Sequence, residues 1–285
     1  MPAPDDRLRV ITEAFSTCET IDAFLYGWLQ GRFLPPAEQA VFDHYYASFR
    51  ASFSPRLRAH YRDQTREVCA LIAAHDRPRV LEVGAGCGTE SLWFALSGAR
   101  VTALDVRADR LAVARRRRDL LRAALAVPLP AEFRLDSLLE HDAPPYDIVW
   151  LEHTFHHLEP RLRVTEAIAR LVRPGGYVVA SEVNPLNPAL QLQMFLERGA
   201  RTIDTFIDEN GRPHLYGVER LVSARAMRRL FEQVGFVTET VRYFRLFPNH
   251  PIFARLGPIE RFATRIPLPP IFTSYNFVAR KASSR

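Results

Sequence analysis

Residues 80–89 read Val-Leu-Glu-Val-Gly-Ala-Gly-Cys-Gly-Thr, and this stretch decides the fold. Its first four residues are typical of a short buried strand. The three glycines that follow allow a tight turn with positive φ angles and let a ligand approach the backbone closely. A helical pattern begins at Thr89, so the free N–H groups of a helix N-terminus come directly after the turn. The stretch therefore predicts a strand, a nucleotide-binding loop and a helix.

The spacing of the glycines argues against two common nucleotide-binding loops. The dinucleotide fingerprint Gly-x-Gly-x-x-Gly needs its third glycine three positions after the second, whereas Gly88 follows Gly86 by two positions. The loop of nucleoside triphosphatases needs a Gly-Lys-Ser or Gly-Lys-Thr sequence, but Gly88 is followed directly by Thr89. The loop therefore does not predict binding of NAD or of a nucleoside triphosphate.

Strands and helices alternate along the chain after this loop. We predict strands over residues 79–83, 100–104, 132–135, 146–151 and 177–181, with helices over 89–96, 108–126 and 161–171 between them. A later helix over 223–234 precedes two further strands, 236–243 and 275–280. Strands that alternate with helices of this length predict a largely parallel sheet.

The loop resembles motif I of the class I S-adenosylmethionine-dependent methyltransferases, which is written roughly Glu/Asp-x-Gly-x-Gly-x-Gly. Further elements that are similar to this family follow in the expected order: Asp105, Asp136-Ser137, Arg173-Pro174-Gly175-Gly176 as a turn before the fifth strand, and Gly235-Phe236. The resemblance covers residues 78–183 and 219–281. It implies an α/β, Rossmann-like fold with a seven-stranded, mostly parallel sheet, and a methyltransferase acting on a small molecule.

The resemblance also implies the cofactor, S-adenosylmethionine, with S-adenosylhomocysteine as the product. The residues predicted to bind it are Glu82, Gly84, Ala85, Gly86, Gly88, Asp105, Val106, Asp136 and Ser137. A carboxylate such as that of Asp105 can accept two hydrogen bonds from a ribose diol. Both Asp105 and Asp136 also fit ordinary helix-capping positions, so a purely structural role stays open for each.

The candidate catalytic residues follow the fourth strand, in the segment Glu152-His153-Thr154-Phe155-His156-His157-Leu158. This segment resembles the Phe-His-His-Leu stretch of the ubiquinone/menaquinone-type members of the family. The methyl group of a sulfonium is already activated, so the protein has to position a nucleophile and remove its proton. Histidine suits that task near neutral pH. We predict catalysis by Glu152, His156 and His153, and the alternative is that the histidines only cap and pack the next helix.

Two segments outside the predicted sheet are rich in aromatic residues. Residues 1–76 predict an N-terminal helical cap, which includes a helix over 37–50. Residues 184–218 predict a lid inserted after strand five of the methyltransferase domain, 77–285, with a helix over 188–198 and an irregular stretch over 208–217. The predicted substrate-binding residues are Tyr45, Tyr46, Glu182 and Asn184. Such surroundings favour an apolar or aromatic acceptor, such as a natural product, quinone or isoprenoid-like molecule, although the aromatic residues also fit an ordinary core.

The positive charge of the chain is concentrated near its C-terminus. The formal net charge is +6, and residues 241–285 hold eight basic side chains against one acid, Glu260. Arginines alternate with aromatic residues over 242–272, and residues 244–272 predict an excursion between the last two strands. Three interpretations stay open: a solvated excursion, peripheral contact with a membrane or lipid, and a homodimer interface.

Several classes of protein are disfavoured by what the sequence lacks. The three cysteines show no Cys/His spacing of a metal site, so we predict no metal. Leu151-Glu152-His153-Thr154 replaces the Asp/Asn-Pro-Pro-Tyr segment of DNA amino-methylating enzymes, so we predict no nucleic-acid partner. The N-terminus lacks a secretory pattern, so we expect a cytoplasmic protein. A non-methylating enzyme or a non-catalytic cofactor-binding protein on the same scaffold stays open as the alternative.

Overall fold

The computed structural model describes residues 4–207, 211, 213–247, 253, 255–263 and 268–283. The chain divides into two compact units, Met1–Asp136 and Ser137–Arg285. The predicted domain boundary after residue 76 stays a prediction. Among the described residues, no helix is long and apolar enough to span a membrane.

The first unit begins with five helices, as predicted for this part of the chain. They are α1 (Pro4–Phe15), α2 (Ile21–Gln30), α3 (Pro36–Tyr45), α4 (Ala47–Ala51) and α5 (Pro55–Ala73). The helix predicted over residues 37–50 is interrupted at Tyr46, where one helix ends and the next begins. Apolar residues at helical spacing on α2, including Phe24 and Trp28, are buried together with Phe42. Hydrophobic burial of this aromatic cluster holds the helices together.

The first unit continues with three parallel strands and two helices. They are β1 (Arg79–Val83), α6 (Thr89–Leu96), β2 (Arg100–Asp105), α7 (Ala108–Leu125) and β3 (Ala131–Leu135). β2 pairs in parallel with β1 and with β3. Because the carboxyl ends of parallel strands lie at one edge of a sheet, the glycine loop, Asp105 and Asp136 meet at that edge.

The second unit contains the remaining strands and helices. They are β4 (Tyr146–Glu152), α8 (Arg161–Leu171), β5 (Val172–Val183), α9 (Pro188–Arg198), β6 (Ile203–Ile207), β7 (Pro213–Gly217), α10 (Ala224–Gln233), β8 (Phe236–Phe244), α11 (Gly257–Ala263) and β9 (Ser274–Lys281). β4 and β5 are parallel, whereas β9 is antiparallel to both β5 and β8. The seven-stranded sheet has the order β3-β2-β1-β4-β5-β9-β8. The predicted fold class, a Rossmann-like α/β fold with a seven-stranded, mostly parallel sheet, is therefore confirmed.

Two local predictions in the second unit were wrong. Arg173-Pro174-Gly175-Gly176 is not a turn before the fifth strand but part of β5, where the pairing with β4 shifts its register. A side chain on Gly176 would meet the carbonyl oxygen of Asp147 at 2.8 Å, so the neighbouring strand passes very close. Residues 208–217 were predicted to be irregular, but 213–217 form β7, which pairs with β6. Neither strand of this hairpin alternates strictly between apolar and polar residues, so the sequence gives no period-two signal for it.

The predicted excursion over 244–272 is folded where the structure describes it. It contains α11 and a single helical turn, Pro269–Ile271, whereas residues 248–252, 254 and 264–267 lie outside the described residues. The buried carboxylate of Glu260 accepts hydrogen bonds from the backbone N–H groups of Leu246 (3.1 Å) and Phe247 (3.0 Å). The one acid of this basic segment therefore fixes the chain that follows β8.

Candidate functional site

The glycine loop of the first unit has the backbone that its sequence predicts. Gly84, Gly86 and Gly88 have φ angles of 78°, 52° and 76°, in the region that L side chains rarely adopt. The backbone N–H groups of Gly84 and Ala85 donate to the carbonyl oxygen of Leu104, at 2.8 and 2.9 Å. The loop after β1 is therefore anchored on β2, and α6 begins directly after it.

Asp105 joins the loop to the end of β2. One carboxylate oxygen accepts a hydrogen bond from the N–H of Gly86 at 2.7 Å, and the other accepts from the N–H of Arg107 at 2.9 Å. Burial raises the pKa of Asp105, although these N–H donors oppose the shift. The backbone N–H of Asp136 donates to the carbonyl oxygen of Asp105 at 3.2 Å. The structure therefore brings three residues of the predicted cofactor site together: Gly86, Asp105 and Asp136.

Glu82 lies beneath the same loop. It is buried, and its carboxylate accepts a hydrogen bond from the hydroxyl of Ser91 on α6. Burial raises the pKa of Glu82 well above its usual range, and the nearby charge of Glu90 adds to this effect. Glu82 therefore ties β1 to α6. Of the other predicted cofactor residues, Val106 is half-buried, and Ser137 opens the second unit.

Two tyrosines predicted to bind substrate lie against the glycine loop. A Cβ placed on Gly86 would lie 2.1 Å from the phenolic oxygen of Tyr45. Tyr46 is buried, and its hydroxyl lies 2.6 Å from the Oγ1 of Thr89. Both tyrosines therefore contact the predicted cofactor loop, and their predicted role in binding substrate stays a prediction.

Arg117 is a residue of this site that sequence reasoning missed. Its guanidinium is buried and donates to the carbonyl oxygen of Cys87 (2.6 Å) and to the Oγ1 of Thr89 (2.9 Å). It also lies 4.5 Å above the ring of Trp28. Arg117 is one of four consecutive arginines, and only burial, which the sequence does not report, distinguishes it. Burial raises the pKa of the Cys87 thiol to about 12, so this cysteine is a neutral filler.

In the second unit, Glu182 organises the segment that follows β4. One of its oxygens accepts from the backbone N–H groups of Thr154 (3.1 Å) and Phe155 (2.7 Å), and the other lies 2.5 Å from the Nδ1 of His156. Burial by itself lowers the pKa of His156, but the charge and hydrogen bond of Glu182 outweigh it and raise the pKa. Glu182, predicted to bind substrate, is thus fully engaged in positioning the predicted catalytic segment.

The other predicted residues of the second unit occupy different environments. Glu152 ends β4 opposite Ser181. His153 has a positive φ of 45°, and burial lowers the pKa of its imidazole to about 4. The side chain of Asn184 donates to the carbonyl oxygens of Pro269 (2.8 Å) and Phe272 (2.9 Å), so this predicted substrate-binding residue holds the end of β5.

A second carboxylate, which sequence reasoning also missed, faces the histidines. An oxygen of Glu219 lies 3.5 Å from the Nε2 of His156, and the other lies 3.8 Å from the Nε2 of His157. The Nδ1 of His157 lies 2.8 Å from the carbonyl oxygen of Gly217. Glu219 is 62 positions beyond His157, so no local spacing indicates the pair.

Comparison with known proteins agrees with the fold. Residues 43–241, well over half of the chain, match a family model described as a methyltransferase domain. The ubiquinone biosynthesis O-methyltransferase of Aeromonas salmonicida is 29% identical over 162 residues, covering 56% of this chain and 63% of the relative. The enzyme of the same name from Cronobacter sakazakii is 37% identical over 109 residues, covering 37% and 42%. The chain thus matches about two fifths to three fifths of the length of these relatives.

Solved structures show the same fold at low sequence identity. Magnesium protoporphyrin IX methyltransferase from Synechocystis PCC 6803, with S-adenosylhomocysteine bound, has a TM-score of 0.56 at 14% identity, covering 92% of this chain and all of the other. The 4+2 cyclase SpnF has a TM-score of 0.52 at 18% identity, covering 76% and 81%. This fold therefore does not by itself specify methyl transfer.

The fold is that of the class I, S-adenosylmethionine-dependent methyltransferases, as the sequence resemblance implied. Within that class, the chain belongs to the family of the matching methyltransferase-domain model.

Proposed function

We propose that the protein transfers the methyl group of S-adenosylmethionine to an oxygen atom of a small, apolar or aromatic acceptor. The observation that carries this proposal is the geometry of the glycine loop. Gly86 has a positive φ, no room for a Cβ, and an N–H that donates to Asp105 at the end of β2. The match to the methyltransferase-domain family supports the same cofactor.

The residues of the first unit fit such a cofactor. A carboxylate offers about four lone-pair sites, and the two N–H groups on Asp105 leave some of them for ribose hydroxyls. The three left-handed glycines carry no side chain, so at these positions the backbone can approach the amino-acid part of the ligand. Val106 and Asp136 are proposed to contact the adenine.

The chemistry requires in-line attack and removal of one proton. When bound, S-adenosylmethionine supplies an electrophilic methyl carbon, and its sulfur keeps the electron pair of the broken S–C bond. The acceptor oxygen forms the new bond to carbon after losing its proton. We propose that His156, which Glu182 holds in one orientation, takes part in removing this proton, with Glu152 and His153 beside it in the sequence.

The proposal of an apolar acceptor rests on the relatives and on the second unit. The relatives are named for ubiquinone biosynthesis and for O-methylation. On α9, the side chains of Leu192, Phe195 and Leu196 are 61%, 57% and 75% exposed. An exposed apolar helix within the predicted lid is consistent with handling a lipophilic molecule. We also propose peripheral lipid contact through residues 242–272, a homodimer and a cytoplasmic location.

Two measurements test this function. Calorimetric titration with S-adenosylhomocysteine should show micromolar binding, and NAD, run beside it, should show none. Incubation with methyl-labelled S-adenosylmethionine and a panel of phenols and catechols with different alkyl chains should label at least one acceptor at oxygen. Binding of S-adenosylhomocysteine without transfer to oxygen, nitrogen or carbon of any acceptor would favour a non-methylating protein on this scaffold.

A further inference from the structure

His156 and His157 have the same arrangement of their ring nitrogens. The Nδ1 of His156 lies 2.5 Å from a carboxylate oxygen of Glu182, and the Nδ1 of His157 lies 2.8 Å from the carbonyl oxygen of Gly217. A carbonyl oxygen can only accept, so the Nδ1 of His157 carries the proton. The ionised carboxylate of Glu182 can likewise only accept, so the Nδ1 of His156 also carries a proton. In their neutral forms, both rings therefore present a lone pair at Nε2.

The two Nε2 atoms face one carboxylate. The oxygens of Glu219 lie 3.5 Å from the Nε2 of His156 and 3.8 Å from the Nε2 of His157. The ligating atoms of these three residues all lie within 4.8 Å of one another. Ligands at 2.0–2.1 Å from a tetrahedral metal are about 3.3 Å apart, so only a small movement would complete the set.

The surroundings of the three residues are those of a metal-ligand set. Metal-binding histidines usually donate their second N–H to a carboxylate or a backbone carbonyl, which fixes the tautomer and the ring orientation. Glu182 and Gly217 supply one example of each. His157 and Glu219 are partly exposed, so an ion could enter from solvent.

We propose that His156, His157 and Glu219 bind a divalent first-row transition-metal ion, with Zn²⁺ as the representative, and leave one coordination position open. Two imidazoles and one carboxylate suit such an ion, whereas Mg²⁺ prefers a shell made of oxygen ligands. The metal site itself does not depend on the proposed function. Its role does: the open position would take the acceptor oxygen and lower the pKa of its hydroxyl, whose proton would pass to a water molecule. With the metal bound, His156 would serve as a ligand, and water would accept the proton in its place.

Substituting Glu182 gives an unusually specific test of this arrangement. In Glu182→Gln, the amide oxygen must stay where the N–H groups of Thr154 and Phe155 donate, which directs the NH₂ group at the Nδ1 of His156. His156 would then accept at Nδ1 and carry its proton on Nε2. The variant keeps the shape and hydrogen bonds of the site but removes the lone pair that a metal needs.

The experiment is calorimetric titration of the metal-stripped full chain with Zn²⁺, with Co²⁺ absorption as a spectroscopic readout of the ligand geometry. We expect one Zn²⁺ per chain, and Zn²⁺ binding at least about 100-fold weaker in Glu219→Gln and His157→Ala. Glu182→Gln should weaken binding roughly 10- to 100-fold. Mg²⁺ should not compete.

The matched control is His75→Ala. The Nδ1 of His75 also lies close to a backbone carbonyl oxygen, that of Leu71 at 2.7 Å, but His75 belongs to none of the clusters that could hold a metal among the described residues. This variant should bind Zn²⁺ like the wild type. Equal affinity in wild type and Glu219→Gln, or no stoichiometric binding by wild type, would overturn the proposal. Titration of each variant with S-adenosylhomocysteine separates this failure from a failure of the proposed function, because the donor loop lies in the first unit.

Discussion

The phenolic oxygen of Tyr45 occupies the space into which a side chain on Gly86 would project, 2.1 Å from the ideal Cβ position. Gly86 is also one of three loop glycines with a positive φ. Backbone conformation and packing therefore both require glycine here. The contact also ties α3, which ends at Tyr45, to the loop proposed to hold the cofactor.

Gly86→Ala should weaken binding of S-adenosylhomocysteine at least about tenfold, because the new methyl group must displace Tyr45 or the loop. Gly98→Ala is the matched control, since Gly98 has a φ of 96° but no atom within 4 Å of its ideal Cβ. The control should lose roughly 1–2 kcal/mol of stability from backbone strain and keep its affinity. Adding Tyr45→Ala to Gly86→Ala should restore part of the affinity. If the double variant binds no better than Gly86→Ala, contact with Tyr45 is not the cause.

Asp105→Asn should weaken binding of S-adenosylhomocysteine by about 1–3 kcal/mol, measured by calorimetry. The carboxylate accepts N–H groups at both oxygens, and an amide would direct its own NH₂ group at one of them. Asp109→Asn is the control, because Asp109 is a more exposed carboxylate that pairs with Arg107 at 2.9 Å. Similar losses in both variants would indicate a general charge effect rather than a specific contact.

The sequence was sufficient for the fold and for the donor loop because their signals are local. The strand before Gly84, the left-handed glycines, the acid that ends β2 and the acid that follows β3 lie in consecutive segments. The bounds of α6, α8 and α9 agree with the predicted helices to the residue. The helix predicted over 223–234 is present as α10, and the Ser223 hydroxyl caps it by accepting from the N–H of Ala226.

The residues that sequence reasoning missed depend on contacts between distant segments. Arg117 looks like its exposed neighbours until the helices that bury it are placed. Glu219 reaches the histidines only because β7 pairs with the segment after β4, through a bridge between Tyr216 and Leu158. Glu182 was identified as functional, but its bonds to Thr154, Phe155 and His156 indicate a positioning role. Such roles depend on which hydrogen bonds are already made, and a linear sequence does not report this.

Arg117→Lys should lower the free energy of unfolding by roughly 2–3 kcal/mol in urea. Lysine cannot stack its charge flat on Trp28 while it also donates to both Cys87 and Thr89. Arg116→Lys is the control on the same helix, since Arg116 is half-exposed and pairs with Glu38 at 3.3 Å. That variant should change stability by less than about 0.5 kcal/mol. Equal effects at the two positions would contradict a role for Arg117 in supporting the loop.

Glu82→Gln should raise the melting temperature of the ligand-free protein at neutral pH and change it less in acid. Burial raises the pKa of Glu82 well above the value of about 4.3 that it has in an unfolded chain. Between these two pKa values the folded state binds more protons, so the wild type loses stability as the pH rises through this window, whereas glutamine does not titrate. The amide oxygen of the substituted side chain could still accept from the Ser91 hydroxyl, so little else changes. Melting curves of both proteins from pH 4 to pH 8 measure the effect. Glu132→Gln is the control, because Glu132 is an exposed carboxylate. If the difference in melting temperature between Glu82→Gln and the wild type shrank as the pH rose, Glu82 would be stabilised as a carboxylate, and the prediction would be wrong.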